Sequence, residues 1–195
     1  MKKLHLIYIP GLGDDDPGGQ HWAVNTWHWW GVESELFQMK WADDVKWEVK
    51  FGRLLARIDE LIKDDRTVGL VGASAGGSAV INAFAARKDR VVGVVLIAGK
   101  VNRPEAIGAR YRQNNPSFIE SAYAAPLALK TLNAKDRRRI LSRYALADET
   151  VYKPDSRIPG ARNRLSPTIG HAPTIGLQLI IGAPSFIRWL KRQAN

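Results

Sequence analysis

TVGLVGASAGGSAV, residues Thr67–Val80, changes character within a few positions. Thr67–Gly72 is a short apolar run bounded by glycine, which predicts a buried strand. From Ser74 to Arg87 the residues are small and apolar at first and then helical in spacing. Between the two lies Gly72-Ala73-Ser74-Ala75-Gly76, a G-x-S-x-G pentapeptide. A strand–turn–helix setting of this kind holds a serine on a tight, strained turn. Glycines are needed there because side chains would collide with the neighbouring strand and helix. The turn lifts the Ser74 hydroxyl clear of the C-terminal edge of the sheet, and the helix N-terminus favours developing negative charge. A Gly/Ala-rich packing turn and an anion-binding loop are the other readings of the same letters. The flanking strand and helix favour a nucleophile.

Working outward, Leu4–Ile9 (LHLIYI) reads as a first buried strand that ends at Pro10-Gly11. Glu33–Trp41 is a second strand, Val91–Ala98 (VVGVVLIA) a strand covered on both faces, Ile140–Ala147 a further one and Arg164–Ile169 a weaker one. Val45–Lys63 carries apolar residues at helical spacing. Thr174–Arg192 is helical in two pieces, interrupted by Pro184. The alternation predicts a three-layer α/β/α sandwich around a mostly parallel, twisted sheet of about six strands. Residues 1–195 form a single domain on this reading. Val101–Arg139 breaks the rhythm with helical fragments punctuated by Pro104, Pro116 and Pro126, a candidate cap or lid. Its Ile107, Tyr111, Phe118, Tyr123, Leu127 and Leu129 either line an apolar acyl pocket or form ordinary core, and the sequence leaves both open.

A serine hydroxyl needs a base. Of the four histidines, His5 lies inside the first strand, and His21 and His28 lie in the Trp-rich segment Gln20–Trp30. All three read as packing or surface residues. His171, in Ile169-Gly170-His171-Ala172-Pro173, follows the last strand and so stands on a loop at the same edge as Ser74. The base needs an acid to hold its tautomer. Asp148 ends the strand 140–147 and is the first choice, Asp155 is the competitor, and Glu149 is expected to point elsewhere. Oxyanion donors are expected from the backbone N–H of Ala75 and, in the loop Pro10-Gly11-Leu12-Gly13, from that of Leu12. The Trp22–Trp30 cluster beside that loop is a candidate wall of the site. The same loop fails as a dinucleotide fingerprint, because Asp16 stands where a third glycine is wanted.

With these residues in place, the sequence resembles the α/β-hydrolase family, in particular its small single-domain members. The resemblance covers nearly the whole chain. It rests on the loop Pro10–Gly13, the elbow Gly72–Gly76, the acid in Asp148-Glu149-Thr150-Val151 and the base in Gly170-His171, in the family's order of serine, acid, histidine. Three departures stand out. Pro10 occupies a place where the family often has histidine. The chain starts directly with the strand leading to the oxyanion loop. The acid-to-base interval is short, which implies a reduced helix between the last two strands. The resemblance implies a two-step acyl transfer by Ser74, His171 and Asp148, with Leu12 and Ala75 holding the oxyanion. It implies no metal and no organic cofactor, and a small ester or acyl compound as substrate. A thioesterase or peptidase with the same triad and a non-catalytic binding protein of the same fold are the alternatives.

Composition bounds the rest. Zero cysteines exclude a disulfide scaffold, a thiol nucleophile and cysteine-ligated metal sites. No apolar run approaches the ~20 residues that span a bilayer, the start lacks a signal-peptide cleavage site, and a cytoplasmic location is expected. The net charge of +10 is uneven, with 9 Lys/Arg against 12 Asp/Glu in residues 1–66 and 20 against 7 in residues 67–195. No zinc-finger, helix-turn-helix or RNP pattern accompanies the basic part, so it reads as a solvated face and nucleic acid is not expected.

Overall fold

The computed structural model describes residues 2–194. Its strands are β1 (Leu4–Ile9), β2 (Glu33–Leu36), β3 (Thr67–Ala73), β4 (Val91–Ile97), β5 (Ile140–Ala147) and β6 (Arg162–Ile169). They pair in the order β2-β1-β3-β4-β5-β6, and every pair is parallel. The helices are α1 (Gly19–Asn25), α2 (Trp47–Lys63), α3 (Gly76–Ala86), α4 (Ala109–Asn114), α5 (Pro116–Lys130), α6 (Ala134–Arg137), α7 (Lys153–Ser156), α8 (His171–Ile180) and α9 (Ala183–Ala194). Short 3-10 turns at Thr26–Trp30 and Pro104–Ala106 complete the set.

Alternation along the strands splits the core into two layers. Ile7, Ile9, Val68, Leu70, Val94 and Leu96 face α2, α3 and α5. Leu6, Tyr8, Val71, Ala73, Val95 and Ile97 face α1, α8 and α9. On α2 the buried residues Leu54, Ile58 and Leu61 recur at helical spacing and make one apolar stripe. The predicted three-layer sandwich of six parallel strands is what forms.

Two registers place the site. Ile9 pairs with Gly72, so the loop after β1 leaves the sheet beside the elbow after β3. These neighbours are where the strand order reverses, the usual location of a crevice in an open α/β sheet. Ala147 pairs with Ile169, so the residues that follow β5 and β6 leave that edge side by side.

Several expected boundaries shift. The second strand stops at Leu36 instead of Trp41. Phe37 still donates its N–H to Tyr8 O, but the Asp14 carboxylate then takes the amides of Lys40 and Trp41 at 2.7 and 3.1 Å. Those amides are lost to strand pairing. The last helix begins at His171 rather than Thr174 and breaks at Ile181-Gly182, ahead of Pro184. Pro184 sits in the first turn of α9, where a missing N–H costs nothing. The last strand starts two residues early, at Arg162.

Val101–Arg139 does not form one lid. Helix α5 belongs to the flanking layer, with Phe118, Ala122, Ala125 and Leu129 in the core beneath it. Tyr123 and Leu127 on the same helix face solvent. The short segment 104–114 stands near the site through Ile107 and Tyr111, and Phe118 at the start of α5 reaches the recess beside Ser74. The shortened crossover expected between the last two strands is the single turn α7.

Candidate active site

Ser74 occupies the left-handed region of backbone space, with φ of 50°. A non-glycine residue there is strained and persists only when its surroundings fix it. The fixing is visible in hydrogen bonds. Ser74 N donates to Ile97 O at 3.1 Å, and Ser74 O accepts from Gly77 N and Lys100 N at 3.0 and 2.9 Å. The glycines leave the room. A Cβ on Gly76 would lie 2.1 Å from Ile9 O, and one on Gly72 would lie 2.5 Å from Gly76 O. One on Gly11 would lie 2.8 Å from Ser74 Cβ, so the loop after β1 rests directly against the serine.

His171 is the first residue of α8, and its imidazole spans the gap. Nε2 lies 2.9 Å from Ser74 Oγ, and Nδ1 lies 2.8 Å from Asp148 Oδ2. The Asp148 side chain is 2% exposed and the imidazole 13%, so the chain of bonds is nearly dry. Asp148 Oδ1 also accepts the amides of Thr150 and Val151 at 2.9 and 2.8 Å. Burial alone would raise this carboxyl. The bonds from His171, Val151 and Thr150 outweigh burial and hold it below the usual aspartate range.

Asp155 lies elsewhere. Its carboxylate is buried beside Lys100 Nζ at 3.0 Å, with Arg103 Nε 2.8 Å from the other oxygen but not aligned to donate to it. Its carbonyl accepts the amides of Val101 and Asn102. It therefore ties the strand-β4 exit to α7 and does not reach His171. Burial lowers the Lys100 ammonium, against the pull of Asp155.

Glu149 was expected to point away, and its carboxylate does avoid the imidazole ring. Both of its oxygens instead accept the His171 backbone N–H, each at 3.1 Å. Gly170 at that helix start has no side chain to cap with, and Glu149 supplies the negative charge that a helix N-terminus favours. The signal was its position next to the acid, but only the fold brings it to α8.

Among the described residues, the amides of Leu12 and Ala75 donate to no protein acceptor. The Leu12 loop is held from behind. Asp14 bonds the 40–41 backbone as above, and Trp41 Nε1 donates to Pro10 O at 3.3 Å. Burial raises Asp14 against three backbone hydrogen bonds.

A cleft of about 700 Å³ opens over Ser74 and His171. Leu12, Trp22, Tyr111, Ile175, Leu179 and Ile180 make its apolar walls, and Gln20 and Thr150 add polar groups. A smaller recess of about 60 Å³ runs from Ser74 toward Ile107 and Phe118. Of the tryptophan cluster only Trp22 walls the cleft. Trp27 is core, donating Nε1–H to Leu179 O at 2.9 Å, and Trp29 and Trp30 are exposed. His21 and His28 bond to Asn25, and His5 lies between Glu33 and Glu35.

No protein-family model and no curated protein matches the sequence. Solved structures do match the architecture. Est1E from Butyrivibrio proteoclasticus superposes with a TM-score of 0.71 at 16% identity, over 99% of this chain and 89% of that one. The metagenome-derived lipolytic enzymes LipS and LipT give 0.70 at 9% identity, over 98% and 94%. Alpha/beta hydrolase domain-containing protein 10 from mouse gives 0.66 at 16%, over 96% and 90%. The protein has the α/β-hydrolase fold. At these identities the likeness is one of architecture, and what the chain does has to be argued from its own site.

Proposed function

We propose that the protein is a serine hydrolase that cleaves carboxylic esters of small molecules through an acyl-enzyme. One observation carries the reading, the continuous path from Asp148 through both nitrogens of His171 to Ser74 Oγ at hydrogen-bonding distances. In the first step His171 Nε2 takes the hydroxyl proton as Ser74 Oγ bonds to the ester carbonyl carbon. The oxyanion is received by the Leu12 and Ala75 amides. The tetrahedral species collapses, the bond to the alcohol oxygen breaks, and His171 gives that oxygen its proton. Water then adds to the acyl carbon while His171 takes its proton. The carboxylic acid leaves and Ser74 Oγ recovers the proton. Asp148, kept ionised, holds Nδ1–H and stabilises the imidazolium between the two transfers.

The apolar walls of the cleft support an acyl chain as the part of the substrate that is held, and the lipolytic enzymes LipS and LipT and the ferulic acid-bound form of Est1E are similar in fold. A cysteine-free chain suits the reducing cytoplasm. A fluorophosphonate probe tests the proposal. Labelling of the native protein, and none of Ser74→Ala, is expected. A protein that takes no label and turns over no p-nitrophenyl ester from acetyl to long chain would instead be a binding protein built on this fold.

A further inference from the structure

On the far side of α8 from the catalytic cleft lies a second pocket of about 430 Å³. Five arginines line it: Arg143, Arg162, Arg164, Arg188 and Arg192. They come from three elements. Arg143 on β5 pairs in register with Arg164 on β6, and Leu141 pairs with Arg162. All four of these side chains therefore lie on one face of the sheet. Arg188 and Arg192 are one turn apart on α9, which covers that face. Like charges opposite one another on strands, or four apart on a helix, repel. Among the described residues none of the five forms an ion pair, although most other arginines near a carboxylate use it.

Arg143 is the most constrained of the set. Its guanidinium donates to the neutral oxygens of Gln178, Gly182 and Ser185, and its Nε is sealed from solvent with no acceptor. Burial and the nearby charge of Arg162 both disfavour its cationic form. A half-buried arginine normally has a carboxylate beside it, since an uncompensated charge away from water is costly. Here the neighbours are more arginines.

We propose that this pocket binds a small organic anion carrying two or more phosphate groups, at a site separate from the Ser74 cleft. The planar guanidinium fork suits phosphate oxygens in pairs. Leu141, Leu165, Pro167 and Trp189 supply an apolar wall for the remainder of the ligand. The pocket has the volume of a small-molecule site and is no extended groove of the kind that tracks a nucleic-acid strand. The basic excess of residues 67–195, read from the sequence as a solvated face, thus has a focus that the sequence hides, because its members are scattered between 143 and 192.

Isothermal titration calorimetry with inorganic tripolyphosphate, and in parallel with ATP, tests the site. One-to-one binding that weakens with salt is expected. Arg162→Gln and Arg164→Gln, both exposed and free of structural bonds, each weaken it about 10- to 100-fold. Lys63→Gln and Lys130→Gln, which remove the same charge elsewhere, leave it unchanged. ATP binding more tightly than tripolyphosphate places the organic part on the Trp189 wall, and equal affinity assigns the site to the phosphates alone. No binding of either compound at low salt overturns the proposal and leaves the arginines as guards of the sheet edge. So does equal weakening by the lysine variants, or a single-stranded oligonucleotide that binds and is not displaced by tripolyphosphate. None of these outcomes depends on ester hydrolysis, so the two proposals stand or fall separately.

Discussion

Replacing Asp148 and Asp155 by asparagine separates an acid that serves the histidine from one that serves the fold. At Asp148 the structure dictates how the new amide will lie. Oδ1 receives two backbone N–H groups, from Thr150 and Val151. The amide oxygen must take that place, because an NH2 there would face two donors. The NH2 then falls at the Oδ2 position, 2.8 Å from His171 Nδ1, and donates to it. This fixes the tautomer with its proton on Nε2, pointing at Ser74 and unable to accept the hydroxyl proton. The corresponding change in the serine protease triad costs about 10⁴ in kcat, which is about 5 kcal/mol of barrier, and the same order is expected here with little change in Tm. Asp155→Asn leaves the buried Lys100 ammonium without its counter-charge. Breaking a buried pair from one side costs about 3–5 kcal/mol, a fall in Tm of roughly 6–20 °C for a chain of this size. Its kcat at 20 °C stays within about tenfold of native. Initial rates on p-nitrophenyl butyrate and circular-dichroism melts of both variants make the comparison. An Asp155→Asn protein that is folded at 20 °C yet inactive, beside an active Asp148→Asn, would refute the assignment.

Ser74→Ala and His171→Ala each lower turnover of p-nitrophenyl esters by several orders of magnitude with the melting curve retained, and removing both costs little more than removing one. Gly11→Ala brings a methyl to within 2.8 Å of Ser74 Cβ and 3.3 Å of its Oγ; kcat falls well below native while far-ultraviolet circular dichroism is unchanged, and a native rate would mean that the loop yields. Burial raises Glu35, but the adjacent His5 and the two hydrogen bonds from Arg57 overcome this and bring it from 4.5 to about 2. A lowered carboxyl gives stability that is full above its unfolded pKa and is lost as pH falls through the folded one. Urea midpoints therefore decline between about pH 4.5 and 2, and Glu35→Gln flattens its share of that decline. Trp22→Ala widens the cleft wall, so the ratio of kcat/KM for long-chain over acetyl esters changes several-fold with kcat on the short ester nearly constant.

Much of this was legible in the sequence for a local reason. The strands 4–9, 67–73 and 91–97 are buried almost throughout, and a parallel sheet covered by helices on both faces buries such runs. Ser74, Asp148 and His171 can be placed at one edge from the sequence because each follows a strand, and parallel strands bring all such residues to one edge. What escaped depends on distant partners. The second strand is five residues shorter than its sequence suggests because its partner β1 ends at Ile9, and the Asp14 carboxylate, remote in sequence, then takes the amides of Lys40 and Trp41. The stripe Phe118, Ala122, Ala125 and Leu129 has the periodicity of a core helix, yet periodicity does not say whether a helix lies beneath the sheet or over a site. Glu149 at the His171 amide and the convergence of five arginines appear only after β5 and β6 lie side by side.

The tight fit of Gly11, Gly72 and Gly76 against their neighbours has a mechanical sequel. Loop, elbow and the start of α3 are meshed too closely to slide by the width of a methyl group, so Ser74 and the two free amides ride on one fixed jaw. The imidazole arrives on another body, a helix of ten residues entered through Gly170 and fastened by acidic side chains. On the proposed chemistry, a change in the distance between Ser74 and the imidazole is therefore made at α8 and not at the elbow.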